Sequence, residues 1–458
     1  MLFSVRPALS ALLLLFCNLS YAQPGSLTPP TELTAAEKEI LSTVTRRYQQ
    51  DVAGLTGSYK KYIADFYKER YEMVQELLEE KEIIPAGEAH AYLNKIAGEI
   101  LKYNPSIDKN ALRILFSRSF VANAYSVGEG TILFHIGLFH RLSNESQVAF
   151  ILSHELAHYY LNHGNDHIKT YVTTIYSDEF QKQLKAIKKS DYGKTTQLEA
   201  LAKNLNFRNR RHSRQFEQAA DSMALELLKN TPYDVREALT CLALLDSADS
   251  NKYNSASALE EQFHTTGFPF KKNWLENDEL RFTETKSIRE KREEDSLKTH
   301  PDCSLRIERL SEKVKDYYKE GSRKFLVDTT TFYDLKVQFD YGVIEYCFQT
   351  KKMSRALYLA LQMLRQHPDD SYLNIMVGQC LNEIYQSQKS HQLSKVVDVP
   401  RPDQDPKYNT VLIFLQNLRL QEVAALSYHY LKQKEPALLN HPSFQQAFSK
   451  SKQNFNIQ

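Results

Sequence analysis

Residues 154–158 read His-Glu-Leu-Ala-His, and this pattern constrains the chain more than any other. Residues four apart share one face of a helix, so His154 and His158 can aim both imidazoles at a single ion. Neutral imidazole is a good zinc ligand. Glu155 is angled toward the water such an ion would hold, and its carboxylate can take that water's proton. Three neighbouring features strengthen the reading. Val148, Ile151, Leu152 and Leu156 give the segment an amphipathic helical pattern. A β-like run lies just upstream. Carboxylates at helical spacing occur downstream.

Those carboxylates are Glu217 and Asp221, four apart in Arg214-Gln-Phe-Glu-Gln-Ala-Ala-Asp221. Glu217 as a third ligand leaves the fourth zinc position open for water, as hydrolysis requires. Asp221 then hydrogen-bonds an imidazole N–H and fixes its tautomer. Ala219 and Ala220 are small enough to bring this helix against the first. His163 lies five residues after His158, so on a continuous helix it leaves the ligand face; it is expected to support the site rather than bind zinc.

Gly (14) and Pro (15) are scarce for 458 residues. These residues punctuate turns, so long helices are expected over many short strands. Residues Ala35 to about Tyr103 show helical periodicity in Leu77, Leu78, Ile84, Leu93, Ile96, Ile100 and Leu101. Leu112–Phe116 and Asn123–Phe134 read as β-structure, the second with a Gly128-Glu129-Gly130 turn. Asn144 with Gln147 suggests a helix start, and Gly164 a helix stop. Lys182–Lys189 falls in a helical stretch, and Lys286–Lys298 reads as a solvated helix face. From about Thr330 the chain becomes helix pairs. Ala356, Ala360, Leu364, Pro368, Gly378 and Leu381 keep the order of a tetratricopeptide repeat, with a generic helical bundle as the alternative.

Residues 1–22 read as an export signal. Arg6 precedes a short apolar stretch, and Ser20-Tyr21-Ala22 offers a cleavage site. Removing them takes the chain from 58 basic and 56 acidic residues to 57 and 56. This near-neutral balance excludes nucleic acid as the main partner. No later segment is long and apolar enough to span a membrane, so a soluble mature chain is expected. Export permits disulfides. Cys241, Cys303, Cys347 and Cys380 show no metal-binding spacing and are read either as buried thiols or as forming one bridge.

Four stretches together resemble the CAAX prenyl protease/HtpX-type zinc peptidases, which are gluzincins. They are Asn123–Gly130, Leu142–Gly164, Ser213–Asp221, and Thr299-His300-Pro301 with Arg306-Ile307. The resemblance implies an α+β peptidase domain, mainly helical, with a small sheet whose edge strand aligns the substrate. It implies one zinc ion per chain on His154, His158 and Glu217, with Glu155 as the base. Asn123 and Ala124 would bind an extended peptide through their backbones. Arg214 could stabilise Asp221 or the oxyanion, and His300 could reach zinc or substrate.

The chain lacks the membrane spans of many relatives and is similar to the exported branch that carries tetratricopeptide-like repeats. The expected organisation is a signal peptide (1–22), a linker and helix (23–58), a peptidase domain (59–325) and an all-α helical region (330–458). The resemblance points to a periplasmic or secreted endopeptidase, peripheral to the outer membrane, acting on unfolded envelope proteins, with a protein partner on the helical region. A chaperone or protein-binding module with a gated or vestigial site is the alternative.

Overall fold

The structure is a computed structural model and describes residues 32–119, 121–189, 197, 214–246, 255–276, 303–401 and 404–456. The expected export segment, the Lys286–Lys298 run and His300 lie outside the described residues.

A mainly helical chain is built around one short sheet, as the scarcity of glycine and proline predicts. Helices α1 (Ala35–Ala53) and α2 (Lys60–Glu79) lead into strand β1 (Ile83–Ile84), helix α3 (Glu88–Lys102) and strands β2 (Arg113–Ser117), β3 (Ala124–Ser126) and β4 (Thr131–His135). The sheet order is β1-β2-β4-β3; β2 and β4 are parallel, and the two outer strands run antiparallel to their neighbours. Strand β1 corrects the sequence expectation, which ran helical periodicity through Ile84. A two-residue strand is too short to show alternation, and its place is set by pairing with Phe116 and Ser117.

Successive strand residues point to opposite faces. Ile114, Phe116, Ile132 and Phe134 join the main core with α3. Leu115 and Leu133 pack on the other face against Val44 of α1 and Val74 and Leu78 of α2. Both faces are covered, so β2 and β4 read as nearly unbroken apolar runs rather than alternating ones. Leu93, Ile96 and Ile100 of α3 are fully buried, as their spacing predicts. Gly130, at φ +103°, closes the β3–β4 turn; a Cβ there would lie 2.1 Å from the Ala111 carbonyl oxygen.

Helix α4 (Ile136–Arg141) leads to α5 (Glu145–Tyr160), which carries the HExxH. The Asn144 side chain accepts from the Gln147 N–H at 3.1 Å, while the Gln147 side chain accepts from the Ser143 N–H at 2.7 Å. These bonds satisfy donors that a helix start leaves open. The amphipathic expectation for α5 does not hold: every residue from Glu145 to Ala157 is buried. Helix α3, strand β3, helix α6 (His163–Ile175) and the helix Glu237–Asp246 all pack on it. Gly164 is not the stop either. The chain turns at Asn162, which takes a left-handed φ of +58°, and Gly164 sits inside α6 with its Cα against Gly128. Helix α7 (Asp178–Lys189) holds the Lys-rich stretch.

Helix α8 covers residues 214–228. The helix Cys303–Tyr317 comes later, and then Thr329–Gln349, Met353–Leu364, Ser371–Lys389, Pro406–Asn417, Leu420–Leu438 and Pro442–Asn454. Ala356, Ala360 and Leu364 are fully buried. Gly378 lets Leu431 approach so closely that an added Cβ would sit 2.4 Å from it. Cys241, Cys347 and Cys380 are buried thiols and Cys303 is a half-buried one, with none of the four in a disulfide. No described helix is long and apolar enough to cross a membrane.

Glu145, the first residue of α5, ties the sheet-bearing part to the segment leading into the helix Thr329–Gln349. Its buried carboxylate accepts from the backbone N–H groups of Leu326, Val327 and Asp328 at 2.6–2.8 Å and from the Tyr92 hydroxyl at 2.5 Å. Glu145→Ala strands three amide donors, each worth about 1–3 kcal/mol when left unpaired. The partial exposure of the 326–328 segment lowers that total, so a loss of about 3 kcal/mol in urea-unfolding stability is expected; a change below about 1 kcal/mol would contradict this role.

Candidate metal centre

Two helices distant in sequence bring three donor groups together. His154 and His158 come from α5 and Glu217 from α8. The His154 and His158 Nε2 atoms are 3.1 Å apart. Glu217 places Oε2 3.5 Å from His154 Nε2 and Oε1 3.3 Å from His158 Nε2. Tetrahedral zinc with bonds of about 2.0–2.1 Å separates its ligands by about 3.3–3.4 Å. The donor set therefore fits a zinc ion, and among the described residues it is the group of this kind able to hold a metal. Ala220 is fully buried where α8 meets the core, whereas Ala219 is exposed, so the close approach falls to one alanine of the two.

The surroundings favour positive charge at this point. Burial works against a charged His154, yet its hydrogen bonds to the Asp221 and Glu217 carboxylates and their charges carry its pKa up to about 10. Asp221 Oδ1 lies 3.0 Å from His154 Nδ1. Arg306, on the helix Cys303–Tyr317, donates to both Asp221 oxygens at 2.8 and 2.6 Å. Burial pushes the Asp221 carboxyl up, but its bonds with Arg306 and His154 outweigh this and hold it at about 2. The chain of contacts Arg306–Asp221–His154 orients the first imidazole with Nε2 toward the donor cluster.

The second imidazole has its own support. On a straight helix, residue i+5 lies about 140° round the axis from residue i. The left-handed turn at Asn162 breaks that rule and returns His163 to the site, with its Nδ1 3.1 Å from His158 Nδ1. Its ring stacks on Phe216, with centroids 4.4 Å apart. Burial, and then the nearby His158, hold its pKa down at about 4, which keeps it neutral.

Glu155 points to the sheet. Its Oε2 accepts from the Ser126 backbone N–H at 2.8 Å. Strand β3 is an edge strand. Asn123, Tyr125 and Val127 pair with β4, through His135 N–H to Asn123 O at 3.0 Å, the Tyr125–Leu133 register, and Val127 N–H to Thr131 O at 2.8 Å. By the alternation of antiparallel pairing, the backbones of Ala124 and Ser126 face away from β4. Ala124 thus lies on the free edge, and Asn123 is buried at the start of that edge. Arg214, on α8, is exposed, and the guanidinium that holds Asp221 is that of Arg306.

Sequence reasoning did not single out Ser126, and it placed Arg306 only within a resembling stretch. Arg306 stands 85 residues from Asp221, so no spacing rule links them. Arg309 lies on the same helix three residues later, so nothing in the local sequence picks out Arg306.

A helical frame with a short sheet edge beside an HExxH helix, and a carboxylate delivered from a second helix, defines a metallopeptidase. Residues 90–314 match the profile of peptidase family M48, and the chain belongs to that zinc-dependent family. Its substrates as a class are therefore polypeptides. No curated protein matches the chain.

Proposed function

We propose that this chain is a zinc endopeptidase that hydrolyses extended or misfolded exported polypeptides, with one zinc ion per chain on His154, His158 and Glu217. The observation that carries the reading is the convergence of three donor side chains, with donor atoms 3.1–3.5 Å apart, and Glu155 beside them on the free edge of β3. When bound there, zinc acidifies a water in its open position and polarises a carbonyl oxygen. Asp221 and Arg306 keep His154 in one tautomer. Glu155 serves as the base that accepts the water's proton and passes it to the leaving amine. The backbone of Ala124 and the Ser126 carbonyl offer hydrogen bonds to an extended peptide, the geometry of strand addition. That arrangement suits a polypeptide better than a small substrate. Asn123 flanks this edge, and Arg214 is the candidate for stabilising the oxyanion.

The same reading places the protein outside the cytoplasm, periplasmic or secreted and peripheral to the outer membrane, with unfolded envelope proteins as substrates. It takes the helices after residue 330 as tetratricopeptide-like and suited to a protein partner, since stacked helix pairs present concave surfaces. A chaperone role alongside cleavage would use those same concave surfaces.

The test is casein cleavage by the full chain before and after dialysis against a chelator. Dialysis is expected to abolish cleavage, and one equivalent of zinc to restore it. Cleavage that survives complete zinc removal would contradict the proposal.

A further inference from the structure

We infer that His163 is a positioning residue that clamps two zinc ligands on different helices at once. The inference rests on the proposed zinc site and goes beyond it, because His163 itself contributes no donor to the metal cluster.

Two contacts carry it. The first is to His158. In the proposed site His158 Nε2 gives its lone pair to the ion, so the proton of that neutral imidazole sits on Nδ1. His158 Nδ1–H therefore donates to His163 Nδ1 at 3.1 Å, and the His163 proton sits on Nε2. The second contact is to Phe216, the residue immediately before Glu217. The His163 and Phe216 rings stack at 4.4 Å with planes 20° apart. One buried imidazole thus orients a ligand on α5 by a hydrogen bond and braces the neighbour of a ligand on α8 by ring packing.

Local structure holds His163 in this position. Asn162 tolerates the left-handed conformation that few residues adopt, and it places His163 at the first position of α6. Gly164 comes directly after and packs on Gly128 of the β3–β4 turn. The turn that reverses the chain, the imidazole and the glycine contact act as one device. His154 has a matching device in Asp221 and Arg306, so each imidazole has its own outer partner.

The test is zinc affinity, measured by competition with a chromophoric chelator on the full chain, in wild type, His163→Phe and His163→Gln. The Phe variant keeps a ring for Phe216 but cannot accept the His158 proton. It is expected to weaken zinc binding about 10–100-fold, the usual cost of losing an outer partner. The Gln variant offers an amide oxygen as acceptor and is expected to recover most of that loss. Unchanged affinity in the Phe variant overturns the inference, as does equal weakening in both variants, which would assign the effect to packing alone. If the Phe variant fails to melt cooperatively, Phe216→Leu decides: about 3–10-fold weaker binding supports the brace, and wild-type affinity refutes it. A wild-type chain that binds no zinc overturns the metal reading itself, a result separable from all of these.

Discussion

Glu155→Gln is expected to retain zinc and to lose between about a hundredfold and ten thousandfold in turnover, the range that a positioned general base contributes. The substitution is nearly isosteric. The Gln oxygen can still accept from the Ser126 N–H, which lies 2.8 Å from the native carboxylate. Glu155 is not one of the three converging donors, so their 3.1–3.5 Å separations have no reason to change. What disappears is the group that takes and returns a proton. Steady-state rates on a casein-derived peptide, with zinc content measured on the same samples, check this. A variant that cleaves at the wild-type rate would show that the proton moves elsewhere.

Glu217→Ala is expected to have the largest effect on metal binding. Glu217 supplies the one anion among the three donors and the only one of them on α8. Without it, two neutral imidazoles remain, a poor site for a divalent cation. The affinity loss should exceed the about 10–100-fold that accompanies removal of an outer partner. The fold should persist, because Asp221 stays paired with Arg306 and Ala220 stays in the core. His158→Ala should act in the same direction for the same reason.

Much of the site was legible because helical spacing is a local rule. The four-residue interval set His154 beside His158, and the same interval set Asp221 beside Glu217. The Asn144 cap came from side-chain chemistry at one turn. What was not legible depends on contacts between distant segments. Helix α5 is buried all round from Glu145 to Ala157 because strand β3, helices α3 and α6 and the helix Glu237–Asp246 enclose it, which no pattern within 145–160 reveals. Strand β1 exists only through its pairing with β2. Arg306 reaches Asp221 across 85 residues. His163 returns to its neighbour because Asn162 adopts a left-handed turn, a choice open to asparagine but not dictated by it. The rule that glycine ends helices fails at Gly164, which lies inside α6 and packs on Gly128 of the β3–β4 turn.

Elemental analysis of the purified wild-type chain beside its Glu217→Ala variant addresses the geometry most directly, because it asks whether a side chain from α8 completes a site begun on α5. One zinc per wild-type chain and almost none in the variant is the predicted result. Equal zinc in both, or none in either, would contradict the account.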